Sequence, residues 1–252
     1  MALDIVLLSE LTGKSTHWAS VISRCGISSL DDLKNDNETS KDARWCHRFH
    51  LYQMMISFFR KDYLDAEDEL VTALGFLISK LPQFMSIYQA FYGGLVTLQV
   101  YRQLGDNNRS RLEQAKDSIK NLENWAENSM PAFGNKLLLL QAEYSASIGD
   151  HVNAPQQYLD SIIAARAHGL IHELALAQEL LGNYYCSMNG HEEARESLQL
   201  ALMYYNQWGA SAVKERLMKH HDLCDSSEVN TVDLRLRKTK RACEVVSDLA
   251  DS

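Results

Sequence analysis

The 252-residue sequence predicts an all-α protein of antiparallel helical-hairpin repeats stacked as an α-solenoid. Three observations carry that expectation. Turn punctuation is sparse, with 12 Gly and 3 Pro in the whole chain, whereas an all-β fold needs a Gly-, Pro- or Asn-rich turn about every 8–12 residues. Ala, Leu, Glu, Gln and Lys, which lose little on entering a helix, are abundant. The chain also matches itself at a shift of 40 residues, which places His151 on His191, Ala154 on Ala194, Tyr158 on Leu198, Ile162 on Leu202, Ala165 on Tyr205 and Gly169 on Gly209.

The elements follow from the period of the apolar residues. In each copy of the repeat the apolar positions step by 4, 4 and 3 residues, one stripe on a helix of 3.6 residues per turn. Gly169 and Gly209 stand where each of those helices should stop, because Gly accepts the left-handed conformation after a helix end. The Ala-x-x-x-large signature of the second helix occurs twice more upstream, at Ala66–Leu70 and Ala115–Ile119. A small alanine lets that helix approach its partner, and the larger residue four positions on fills the groove between them. The resulting parse has helices near 41–60, 62–80, 86–104, 109–128, 135–148, 152–168, 171–188 and 191–208, closed by a capping helix near 210–221. Pro82 and Pro131 fall in connections, and Pro155 falls in a first helical turn after Asn153, where its missing N–H costs nothing. Around the repeat domain (41–221) lie an N-terminal segment, 1–40, with a helix at 18–24 and a polar loop, and a C-terminal tail, 222–252, that is either helical or extended.

Composition narrows the function. The charge balance is 25 − 33 = −8, so the bulk surface disfavours nucleic acid, whose phosphates need a basic face. The exception is the run Arg235, Arg237, Lys238, Lys240 and Arg241, a solvated helix or tail by default and otherwise a contact for anionic lipid, an acidic protein or nucleic acid, or a nuclear signal. Five scattered cysteines without a CxxC pair read as reduced thiols. Asp4 and Glu10 interrupt any signal-type apolar core, and no apolar run reaches the roughly 18 residues that span a bilayer. These features predict a cytoplasmic protein.

No constellation assembles into a catalytic set, and the sequence predicts no enzyme and no cofactor. Leu11-Thr12-Gly13-Lys14-Ser15-Thr16 imitates the end of a phosphate-binding loop, but Leu8 stands where the leading glycine belongs, and a helix stopped by Gly13 is the simpler reading. His172-Glu173 imitates a phosphoacceptor box but lacks the Arg and Pro that follow one. Cys46, His47 and His50, and likewise His220, His221 and Cys224, have chelating spacing without a second pair of ligands, so no zinc is expected. Adjacent tyrosines carry more information: neighbours on a helix cannot face the same way, so Tyr184 of Tyr184/Tyr185 and Tyr204 of Tyr204/Tyr205 are candidates for a partner surface.

Four stretches, FFRKDYLDAEDELVTAL (58–74), YQAFYGGLVTLQVYRQ (88–103), NLENWAENSMPAFGNKLLLLQAE (121–143) and AARAHGLIHELALAQELLGNYYCSMNGHEEARESLQLALMYYNQWGA (164–210), resemble the tetratricopeptide-like helical region of large multidomain signalling proteins. In those proteins the region lies between a STAND-type AAA ATPase module and GAF, histidine-kinase or cyclase domains. The resemblance implies a connector that transmits between domains. The expected function is therefore a non-catalytic scaffold contacting protein partners or adjacent signalling domains in intracellular signalling. The alternative is a fragment of a multidomain signalling ATPase, histidine kinase or cyclase whose catalytic domains are absent from this chain.

Overall fold

A computed structural model of the chain describes residues 11–13, 43–76, 83–105, 109–127 and 130–223. Among them the secondary structure is entirely helical: α1 (Ala43–Arg60), α2 (Tyr63–Gly75), α3 (Gln83–Leu104), α4 (Arg109–Ala126), α5 (Met130–Ser147), α6 (Ala154–Ala167), α7 (Ile171–Ser187), α8 (His191–Trp208) and α9 (Ser211–His221). None of these helices is long and apolar enough to cross a membrane.

Two kinds of helix alternate. In α3 and α7 the buried residues run consecutively, as in Tyr92–Leu98 of α3 and Glu173–Gly182 of α7, and in α1 they fall on more than one face, from Cys46 to Phe59. In α2 and α4 burial is confined to one stripe: Ala66, Leu70 and Ala73 in α2, and Ala115, Leu122 and Ala126 in α4. The packing follows from this difference. Each odd-numbered helix from α1 to α7 packs most extensively on the helix after it, giving the hairpins α1/α2, α3/α4, α5/α6 and α7/α8. The odd helices also touch one another in series, α1 on α3, α3 on α5 and α5 on α7, and so form an inner layer. The amphipathic even helices make the outer layer. One continuous apolar core runs through all of it, from Leu11 to Leu217.

The same turn closes three of the four hairpins. Asp62, Asp150 and Gly190 each donate a backbone bond five residues back, to Ser57, Ser145 and Tyr185, and each then accepts the first bond of the next helix from Ala66, Ala154 or Ala194. This six-to-one bond requires a left-handed residue just before it. That residue is Gly149 (φ 78°) in one turn, Asn189 (φ 58°) in its equivalent 40 residues on, and Lys61 (φ 70°) in the first hairpin. The alanines at the start of the outer helices, Ala66, Ala115, Ala154 and Ala194, are all buried.

The two ends of the array meet. Helix α9 packs against α1, and the Phe59 and Trp208 rings lie 6.3 Å apart. Leu11 is buried in the common core, and a side chain on Gly13 would touch Ala212 of α9. Three helix limits differ from the sequence expectation. Helix α2 ends at Gly75 rather than near 80, because Gly is a poor helix former and Phe76 turns extended to stack on His50 of α1. Helix α5 begins at Met130, five residues early, with Pro131 in its first turn rather than in a connection. Helix α3 begins at Gln83, directly after Pro82.

Close approach within and between the hairpins depends on missing side chains. A Cβ on Gly182 would lie 2.6 Å from Leu198 Cγ and 3.3 Å from the Ala194 carbonyl oxygen. A Cβ on Gly94 would meet mainly the terminal methyls of Leu140, at 2.8 and 2.9 Å. In Gly182→Ala the helix-propensity gain of about 1 kcal/mol opposes an overpacking cost of about 1–3 kcal/mol. The variant should lose stability, and lose more than Gly94→Ala, because the Leu198 Cγ branch carbon lies closer, at 2.6 Å, than any atom that meets Gly94 and cannot swing clear as a terminal methyl can. Urea denaturation of the two variants checks the order.

Candidate functional site

Charged residues inside an enclosed helix must be paired, because an isolated buried ion costs far more than any contact restores. Among the described residues the inner layer holds three buried carboxylates. Glu143 on α5 and Glu173 and Glu179 on α7 are all buried. Lys136 and Asn135 hold Glu173, and His172 Nε2 lies 3.3 Å from it. Glu143 accepts hydrogen bonds from Arg102, from the Tyr158 hydroxyl and from Gln99 Nε2 at 3.0 Å.

Glu179 ties together the most distant elements. Lys61 Nζ, in the α1/α2 turn, lies 2.6 Å from Oε1. Arg216 Nη2, from α9, donates to both oxygens at 2.8 and 2.9 Å, and the Tyr205 hydroxyl, from α8, donates to Oε2 at 2.7 Å. Burial alone would raise this carboxyl, but the charges of Lys61 and Arg216 outweigh it and hold the group at about 2. The converse holds for Lys61: burial would lower it, and Glu179 raises it instead. Its left-handed backbone carries the usual strain of a non-glycine residue, which the buried ion pair offsets.

On the solvent side of these pairs lies a cavity of about 540 Å³ lined by Lys61, Arg102, Arg216, His220 and His221 together with Tyr63, Gln99, Gln103 and Asn183. A smaller one of about 210 Å³ shares Gln99, Arg102 and Asn183 with it and is closed by Glu143, Tyr158, His151 and Tyr184. His221 is pushed down to about 4, first by burial and then by the charges of His220, Lys61 and Arg216. A separate groove of about 420 Å³ lies on the outer side, with Leu70 and Leu74 of α2 on one wall, Gln114, Asn121 and Trp125 of α4 on the other, and Ala90 and Gly93 of α3 at its floor. Beside it Glu67 and Arg111 pair bidentately at 2.8 and 2.9 Å, joining the two outer helices.

The residues singled out from sequence are placed as follows. Tyr184 is buried, its hydroxyl 3.3 Å from His151 Nδ1 and its ring 5.6 Å from that of Tyr158, so it faces the smaller cavity and not the outer surface. Tyr204 is half-buried, its hydroxyl 3.5 Å from Arg166, while Tyr205 takes the inward position. Arg235, Arg237, Lys238, Lys240 and Arg241 lie outside the described residues, as do Lys14–Thr16 and Cys224. Leu11 and Thr12 end a helical turn and Gly13 follows at φ 65°. His47 Nε2 bonds Gln89 at 2.6 Å and His50 bonds Glu69 at 2.6 Å, so the first chelating spacing is divided between two directions. Among the described residues no three His, Cys, Asp or Glu side chains are grouped to hold a metal ion. The His172 ring lies 5.6 Å from that of Trp208, tilted by 37°. Sequence reasoning missed the buried glutamates and their cations. The signal was present in ELALAQELLG (173–182), where two carboxylates interrupt a helix that is otherwise apolar on all faces.

No family model matches the chain, and no curated protein or solved structure matches it either.

Acid should unfold the protein in two stages. His221, held below its ordinary 6.5, leaves only the unfolded chain to take up a proton as pH falls from 6.5 towards 4, so stability drops there. Glu179 has a folded value below its ordinary 4.5; its contribution is complete above 4.5 and is lost as pH falls towards 2. Circular dichroism melts across this range should show both stages, and His221→Phe should remove the upper one. Glu179→Gln, which strands Lys61 and Arg216 against each other, should cost roughly 3 kcal/mol at neutral pH, measured by urea unfolding.

Proposed function

We propose that the chain is a non-catalytic, tetratricopeptide-like helical-repeat scaffold that holds a protein partner or a neighbouring signalling domain in the cytoplasm. The observation that carries this reading is the groove between the outer helices α2 and α4. Its apolar floor and walls, Leu70, Ala90 and Trp125, are flanked by amide side chains such as Gln114 and Asn121, with Asp117 the one charge on its lining among the described residues. Such a lining buries apolar side chains while its amides bond a backbone, which is what an extended or helical segment of a partner requires. Leu74 on the groove edge and Val71 one turn before it are 57% and 62% exposed, large apolar side chains with no cover from this chain among the described residues. The recurrence of one hairpin turn at Lys61-Asp62, Gly149-Asp150 and Asn189-Gly190 favours a repeat origin for the array.

The test is a photo-crosslinking residue placed at Leu74, with the captured protein identified and its binding measured in purified form. Leu74→Glu, at a solvent-facing position, should leave the helical signal and melting temperature unchanged and weaken that binding about tenfold or more. Equal binding by Leu74→Glu, or crosslinks that form only to other copies of the chain, would refute a partner groove at this place.

A further inference from the structure

We infer that the larger inner cavity is a binding site for a small phosphorylated molecule, about the size of a sugar phosphate or a mononucleotide. The wall carries three permanent cations, Lys61, Arg102 and Arg216, and no Asp or Glu among its described lining residues. This is unexpected for a chain of net charge −8. The carboxylates that hold those cations stand behind them: Glu179 and Glu143 are each 1% exposed, whereas Lys61, Arg216 and Arg102 keep 20%, 18% and 31% of their side chains accessible. Three cations share two carboxylates, which leaves one positive charge in excess at the cavity wall.

The donors are not exhausted by the ion pairs. Arg216 engages Glu179 through Nη2 alone. The amides of Gln103 and Asn183 add neutral donors at the same wall, and Tyr63 and Leu217 supply apolar surface for the rest of a ligand. Donors converging from three helices suit a group with three acceptor oxygens and nearly two negative charges more closely than a carboxylate with two oxygens. The volume of about 540 Å³ exceeds what a bare phosphate ion fills and lies within the range of small-molecule sites. A ligand there would also touch residues from the first hairpin turn, α3, α7 and α9, and so would brace the closure of the array.

The full chain is titrated with ribose 5-phosphate, AMP, inorganic phosphate and succinate, by calorimetry and by the shift in melting temperature. Ribose 5-phosphate or AMP should bind and raise the melting temperature, with an affinity that falls as salt is added. Gln103→Glu and Asn183→Asp each bring a carboxylate to the cavity without touching the buried pairs, and each should weaken binding about tenfold or more. Unchanged melting temperatures confirm that these variants fold. Absence of binding by every phosphate probe at millimolar concentration would overturn the inference, as would equal binding by the charge variants or equal binding of succinate. Leu74→Glu enters the same titration and should bind the phosphate probe like the parent chain. Failure of the cavity and failure of the outer groove are thereby read separately.

Discussion

The buried carboxylate of Glu179 sets the condition that the rest of the array must satisfy. A carboxylate removed from water in an apolar helix destabilises the fold unless cations and hydrogen-bond donors reach it with good geometry. Its donors here are Lys61 from the first hairpin turn, Tyr205 from α8 and Arg216 from α9. A chain of helical hairpins joined only by nearest-neighbour contacts is free to open or wind further. This chain is not, because residues 61 and 216 must arrive at one carboxylate together. The Phe59–Trp208 ring contact and the packing of α9 on α1 add apolar area to the same closure.

The network also explains a local exception. The equivalent turns place Gly149 and Asn189, the residue types that tolerate a left-handed backbone, where the first hairpin places Lys61. A lysine there carries strain that Gly would not, but only a long cationic side chain leaving the turn spans to α7. Backbone preference and ion-pair geometry conflict at this position, and the buried charge decides the outcome. The inner cavity is a by-product of the same arrangement. Cations that must point inward to glutamates present their outer edges to the space between the first and last hairpins.

Two surfaces of different chemistry result. Inside, cations and amides converge on an open cavity lined by the first hairpin turn, the start of α2, and α3, α7 and α9. Outside, a groove runs between α2 and α4, with leucines on the α2 side and amides and Trp125 on the α4 side. The hairpin arrangement permits both because the inner helices spend every face on packing, while the outer helices spend one stripe and leave the others to solvent.

Much of this was legible in the residues themselves. The 40-residue self-match, the Gly stops and the buried alanines located the hairpins to within a few residues, because helical period and chain reversal are local properties. The helices that are apolar on all faces could be recognised as inner, and a carboxylate within one, as in ELALAQELLG, had to be buried and paired. What local pattern could not supply was the partner. Spacing required that only one of Tyr184/Tyr185 and one of Tyr204/Tyr205 face inward; tertiary packing chose Tyr184 on α7 and Tyr205 on α8. It also chose Lys61 and Arg216 for Glu179, residues 118 and 37 positions away (179 − 61 and 216 − 179). Sequence by itself determined that hairpins form and which faces they bury, since those follow from neighbours a few residues apart. Only the tertiary structure decided how the array closes, since that depends on which distant charges share one low-dielectric space.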